Sequence, residues 1–279
     1  MEHDDRRVAS DRGELTVLTR HAITRRADED GVGAAVVERD YVLAHIVAQL
    51  HRLQLPDGSH LVFKGGTALR LVHIGNYRYS ADLDFTLING SVVAATAAMA
   101  DVLAAALEHT GMPMLELTEG DSPAISYVGP LGAGKPRRIK LDLSDSEVVE
   151  SVEQRTILPD VWPDLPDEVP FDVYPIKEIT AEKLRCIIQR VQCRDIYDIF
   201  RLVEDVGVDL AKVRPLFERK AEAKGIDPAS FEERIEDRLD RYKIRWETEM
   251  PEHVADPPRF DDVVRVVRRH LRGAGLIGL

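Results

Sequence analysis

Cysteine is nearly missing from this chain: the 279 residues hold two, Cys186 and Cys193, and their seven-residue separation matches no zinc motif. A disulfide framework is therefore excluded, and both side chains read as reduced thiols of a cytoplasmic protein. No apolar run approaches the length of a bilayer span, so no membrane association is expected. The opening residues MEHDDRRVASDRGEL carry acids where a secretory leader has its apolar stretch. Gly-x-Ser-x-Gly, His-Glu-x-x-His and the P-loop Gly-Lys-Ser/Thr are all absent, which argues against a serine hydrolase, a zincin and a P-loop kinase. Excess positive charge is also lacking. The balance of 37 Lys and Arg against 49 Asp and Glu gives −12, which excludes unspecific nucleic-acid binding over the whole surface and leaves room for a local basic patch.

What is present suits a folded chain of one large domain or two modest ones, with 44% hydrophobic residues to build a core. Residues 1–36 read as a polar N-terminal extension, either short helices or partly mobile, with an amphipathic turn at Leu15, Val17 and Leu18. Asp40 to Leu53 has a helical stripe of Val42, Leu43, Ile46, Val47, Leu50 and Leu53, closed by Pro56-Asp57-Gly58. An Ala-rich amphipathic helix over 91–109 precedes strand-like runs at 114–118, 124–128, 137–144 and 154–158. The proline- and acid-rich stretch 159–175 reads as a connection between lobes. Helical patterns then fill 178–191, 194–204, 210–224, 228–246 and 260–271. The expected division is residues 37–176 as an α/β-type lobe and 177–279 as a helical one.

Three devices follow one another within 60–87, HLVFKGGTALRLVHIGNYRYSADLDFTL. A short β-rich run stops at Lys64, Gly65 and Gly66. Thr67, read as an N-cap, opens an apolar-periodic helix. A strand turning through glycines into a helix presents backbone N–H groups suited to phosphate. Asp82-Leu83-Asp84-Phe85 then alternates on a strand, so both carboxylates are expected on one face, with Leu83 and Phe85 in the core. Paired carboxylates hold hard divalent cations together with substrate phosphates. In RRIKLDLS, Asp142 becomes a third carboxylate over the same site if its strand lies beside that of Asp84.

The helical half offers further charged groups. Lys183 lies early in a helix docked by Ile179, Leu184 and Ile187, and a lysine there can neutralise phosphates as a point charge. Asp195 and Asp198 are three apart on one helix face; either can accept a proton or orient Lys183, and an Arg194–Asp198 ion pair is an alternative use of the second. Arg185, Arg190, Arg194 and Arg201, and the run Arg265, Arg268, Arg269 and Arg272, can track an RNA backbone or simply form a solvated face.

The ordered motifs KGGTALRL, YRYSADLDF, KLDLS and EITAEKLRCIIQR followed by RDIYDIF resemble the AbiEii-type nucleotidyltransferase toxins, with MenT-like relatives in the DNA polymerase β-like superfamily. The resemblance covers about 38–205. It implies an α+β fold: a small mixed sheet flanked by helices, plus a C-terminal helical lobe that closes over the nucleotide. It implies Asp82 and Asp84 as metal ligands, with Asp142 as the third. Lys64, Gly65, Gly66 and Thr67 would lie at the triphosphate, flanked by Arg78 and Ser80, and Lys183 and Asp195 would act from the helical side, with Asp198 as the alternative to Asp195. The implied activity is transfer of a nucleoside monophosphate from an NTP to an RNA such as a tRNA 3′ end, with Mg²⁺ or Mn²⁺ as cofactor and an antitoxin encoded nearby. Transfer to a protein side chain and a nucleotide-binding module without catalysis stay open as rivals.

Overall fold

The apolar run in HLVFK and the alternation in LDFTLI fold as two antiparallel strands at the centre of the sheet, β1 (His60–Lys64) and β2 (Leu83–Ile88). The computed structural model describes residues 18–118, 123–132 and 135–278. Around the central pair lie β3 (Met114–Thr118), β4 (Ala124–Val128), β5 (Arg137–Ser144), β6 (Glu153–Arg155) and β7 (Phe171–Val173). Together they form one seven-stranded mixed sheet in the order β3-β4-β5-β2-β1-β7-β6. β5 runs parallel to β2 and β7 parallel to β1; the other pairings are antiparallel. Leu83, Phe85 and Leu87 of β2 are buried, as suits a strand flanked on both sides.

Helices α1 (Arg20–Asp30) and α2 (Ala34–Ala48) precede the sheet, and Ile23, Ala27, Val37, Tyr41 and Ile46 are buried in its core. The expected boundary after residue 36 therefore falls inside a helix. Gly31, in the left-handed region at φ 63°, caps α1 and lets the chain start again at Ala34. Of the amphipathic turn, Leu15 and Val17 lie outside the described residues, while Leu18 packs on the core. After β1 come α3 (Gly65–Ala68), which continues as a π-helical turn over Leu69–His73, and then α4 (Val92–Thr110).

α4 corrects one expectation. Among the described residues it is the one helix long and apolar enough to cross a membrane by length and composition. Its alanines raise its hydropathy, and it spends one face, Ala95, Met99, Val102, Leu103 and Ala106, on the core.

The stretch 159–175 is more than a connection. It contributes β7 to the sheet and buries Trp162, Phe171, Val173 and Tyr174. A three-residue strand between Pro170 and Pro175 leaves too short a pattern to read. Helices α5 (Ile176–Gln189), α6 (Cys193–Glu204), α7 (Leu210–Ala223), α8 (Phe231–Glu249) and α9 (Phe260–Gly273) follow. They enclose a second apolar cluster, from Ala181 to Ile277, that includes Phe217, Tyr242 and Trp246. α5 belongs to both cores: Ile179 packs with the sheet, Leu184, Ile187 and Ile188 with the helices. That double docking brings Lys183, on the same helix, beside Lys64, Asp84 and Asp142 of the central strands β1, β2 and β5.

Candidate active site

β1 ends at Lys64, and Gly65 takes φ 77°, a left-handed backbone that costs any other residue. The two glycines also allow close approach. A Cβ on Gly65 would run into the Asp84 carboxylate, and one on Gly66 would lie 2.5 Å from Arg78 Nη2 and 3.2 Å from Ser80 Oγ. The helix begins at Gly65 itself, so Thr67 is not its N-cap. Thr67 is buried, and its hydroxyl donates to the Asp82 carbonyl at 2.5 Å, tying the turn to the start of β2. The left-handed glycine turns the chain two residues earlier than Thr67, which explains the difference.

The sheet register sets Lys64 opposite Asp84 and Asp84 opposite Asp142, so the three lie abreast on adjacent strands. Burial, and next the Asp82 charge, push the Asp84 carboxyl up to about 6, against the pull of Lys64 and Lys183. Asp142 is half exposed and its carboxylate takes a 2.7 Å bond from Lys140. Asp82 precedes β2, so strand alternation does not set its direction. Its carboxylate lies 3.5 Å from Arg194 and lines a different hollow from Asp84. Among the described residues, no three His, Cys, Asp or Glu side chains are gathered to hold a metal by themselves. Asp84 and Asp142 thus stand abreast while Asp82 lines the other hollow, and the expected three-carboxylate cluster is not gathered.

Lys183 is buried and donates to Asp195 Oδ1 at 2.8 Å, with Asp198 Oδ2 at 2.7 Å. Burial favours its neutral form, but Asp195 and Asp198 outweigh that and raise its pKa. Asp198 also accepts from Arg78 Nε at 2.6 Å, Arg78 Nη2 at 2.7 Å and the Tyr77 hydroxyl at 2.7 Å. Burial alone would raise its carboxyl; Arg78 and then Lys183 overcome this and hold it well below the usual range. Asp195 is held down in the same way by Lys183 and Arg190, whose Nε donates to it at 2.8 Å. The two candidate acids therefore share Lys183, and Asp198 alone is tied to the Tyr77-Arg78 segment before β2. Arg194 pairs with Asp82, so the suggested Arg194–Asp198 pair does not form.

Lys64 is engaged as well, 3.0 Å from Glu182 and 3.9 Å from Glu147. Glu147 is 3.8 Å from Arg185 and 3.1 Å from Lys224. A cavity of about 170 Å³ results, lined by Lys64, Gly65, Asp84, Asp142, Lys183 and Arg190 among others. Glu147 and Glu182 line it too and were not read from the sequence as site residues, since single charges without spacing carry no signal of their own; Arg190, expected to face RNA, lines it as well. His253 was also missed. Its backbone carbonyl accepts from the Tyr79 amide at 3.1 Å, and burial, then Arg78, push its pKa down to about 3.

The arginines proposed for RNA divide. In α9, Arg265 pairs with Asp262, Arg268 with Glu236 and Arg269 with Glu204, as an ordinary solvated face does. Arg272 donates to the Gly278 carbonyl, Arg201 pairs with Asp205, and Arg185 and Arg190 serve the site's own carboxylates.

A glycine turn pressed against an Asp-x-Asp strand, with a lysine brought over it by a second, helical core, is the working layout of a nucleotidyltransferase. The family comparison agrees. The sequence model of the nucleotidyl transferase AbiEii toxins of type IV toxin–antitoxin systems matches residues 50–266, and the chain belongs to that family. It is thus a nucleotidyltransferase toxin, with an NTP substrate and an antitoxin counterpart implied by the family. Among solved structures it is similar to MenT4, a nucleotidyltransferase toxin of Mycobacterium tuberculosis, with TM-score 0.54 and 20% identity over 92% of this chain and 99% of that one. This second likeness bears on the fold. A nucleotidyltransferase-like antigen of Paracoccidioides brasiliensis aligns with TM-score 0.38 and 15% identity over 75% of this chain and 91% of that one. No curated protein gives a significant sequence match.

Proposed function

We propose that the protein transfers a nucleoside monophosphate from an NTP to the 3′ hydroxyl of an RNA, of which a tRNA 3′ end is the leading candidate, in the cytoplasm. The observation that carries this reading is Asp84, pressed against Gly65 and abreast of Lys64 and Asp142 in a cavity that Lys183 also lines. Asp82 and Asp84 would hold a Mg²⁺ or Mn²⁺ ion together with the phosphates of the NTP. Such a cation needs only one or two carboxylates when the substrate supplies the rest, which fits carboxylates that form no closed cage among the described residues. Asp84, raised to about 6 by burial, would be drawn back to its ionised form by a neighbouring cation. The ion, when bound, supplies a lower pKa for the attacking hydroxyl and counter-charge for the departing pyrophosphate.

The chain's own residues do the positioning. Gly65 and Gly66 let the backbone approach the triphosphate without a side chain in the way. Lys183 stays charged and stands beside it, held by Asp195 and Asp198, which act as positioning residues. The acceptor oxygen bonds to the α-phosphorus, the bond to the bridging oxygen breaks, pyrophosphate leaves, and the hydroxyl proton passes to water.

Incubation with labelled NTPs, Mg²⁺ and total RNA tests this. The expected result is label on RNA with pyrophosphate release, lost in Asp84→Asn. Label on a protein band in place of RNA would decide for a protein acceptor. Label absent from both, with pyrophosphate release no greater in wild type than in Asp84→Asn, would sink the catalytic reading.

A further inference from the structure

Asp82 and Asp84 line two different hollows, which share no lining residue. One is the cavity with Asp84, Asp142 and Lys183; the other, about 310 Å³, is bounded by Arg39, Ser80, Asp82, Arg194, Arg245 and His253 among others. The Asp-x-Asp pair straddles them: Asp84 faces the first and Asp82 the second. A transfer between two substrates can use this arrangement, because in an in-line displacement the acceptor attacks from the side opposite the leaving pyrophosphate. With the NTP on the Asp84 side, the Asp82 side is left for the acceptor.

The charge around the second hollow suits a phosphodiester strand. α2, α6 and α8 each send one guanidinium to it: Arg39, Arg194 and Arg245. Arg39 makes no ion pair among the described residues. Arg194 sits a loose 3.5 Å from Asp82, and a cation on Asp82 would engage that carboxylate and leave the guanidinium to an anion. Arg245 is committed to Glu249 and to the Val191 carbonyl, so it shapes the wall. That pairing offsets Glu249, leaving Glu252 as the acid on the rim without an ion pair among the described residues. His253 stays neutral. A guanidinium fork matches the two free oxygens of a phosphodiester in a way a lysine does not. The hollow also continues. His253 lines both it and a larger cavity of about 710 Å³, whose walls balance Arg26, Arg70, Arg78 and Arg201 against Glu29, Asp30, Asp160 and Asp256.

We propose that the Asp82-side hollow is the acceptor site, in which Arg39 and Arg194 hold the phosphates next to the 3′ end of a single-stranded RNA. The terminal 3′ oxygen then lies at Asp82, bonds to the α-phosphorus and sheds its proton to water, while pyrophosphate leaves on the Asp84 side. This rests on the RNA-acceptor reading above.

The test uses the full chain, a short labelled single-stranded RNA with a free 3′ hydroxyl, and NTP with Mg²⁺. Arg39→Glu and Arg194→Gln are each expected to raise the RNA KM about tenfold. Each should also lower the salt slope of RNA affinity by about 0.7, the value for one lost phosphate contact on a single strand. Arg39→Gln, a milder change on a partly exposed helix face, should fall between Arg39→Glu and wild type. NTP affinity, read by direct binding, is expected to stay within about twofold of wild type, far inside the tenfold RNA effect. If wild type labels RNA and these variants leave the RNA KM and salt slope unchanged, or weaken NTP binding as much as RNA binding, the acceptor site is elsewhere and only this inference falls. If wild type labels no RNA, the RNA reading and this inference fall together.

Discussion

Charged residues are plentiful both on α9 and around Lys183, yet the two regions use them differently. On α9, Arg265, Arg268 and Arg269 pair with Asp262, Glu236 and Glu204 at the surface, where such pairs contribute about 0–1 kcal/mol. At the site, Arg78, Lys183, Asp195 and Asp198 are buried, and each has its partners in place. Removing one member there strands a charge in a dry setting, which costs about 3–5 kcal/mol. Both regions are built of paired charges; burial separates a solvated face from a positioning device.

The contrast can be broken most severely at its centre. Asp84→Asn is expected to lower transfer on the order of 10³-fold, by removing charge from the reacting centre, and to abolish any thermal shift given by Mg²⁺ with NTP. Retention of both the rate and the shift would remove Asp84 from the mechanism. Asp198→Ala comes next: a loss of about 3–5 kcal/mol in urea melts, because Arg78 and Lys183 lose a shared partner. A loss no larger than that of an α9 variant would erase the distinction between the regions. Gly65→Ala should cost at least about 1 kcal/mol through its φ of 77°, and activity as well, since the new methyl meets Asp84.

Acid sharpens the comparison. The Asp198 carboxyl is depressed in the fold, so its contribution is complete above the unfolded value of about 3.9 and is lost as pH falls below it toward the folded value. Thermal melts of wild type should therefore steepen below about pH 4, and Asp198→Asn should flatten that limb, with Asp195 leaving a remainder. The smallest effect belongs to α9. Arg268→Ala should change stability by no more than about 0.5 kcal/mol and leave RNA affinity unaltered. A clear loss of RNA binding would restore α9 as a docking face.

Much of the site was legible because its signals are local. Gly65-Gly66 after a β-rich run and the Asp-x-Asp that follows lie within one stretch, and spacing along a strand or helix is enough to read them. β7 was not legible, since three residues between prolines hold no period. Thr67 misled for a related reason: a Thr before an apolar run is a fair N-cap, but the left-handed Gly65 had already begun the helix.

By itself the sequence determined that a glycine turn and two aspartates sit side by side, that a lysine rides an apolar-docked helix about a hundred residues later, and that the surface is acidic overall. Local geometry dictates all three. Only the tertiary structure decided who partners whom. Arg78 meets Asp198 across 120 residues, Lys64 meets Glu182 across 118, and Asp82 turns to Arg194 and a separate hollow. These are choices among many charges of equal standing in the chain. What selects one partner is which pair the two cores, joined through α5, bring together and keep from water.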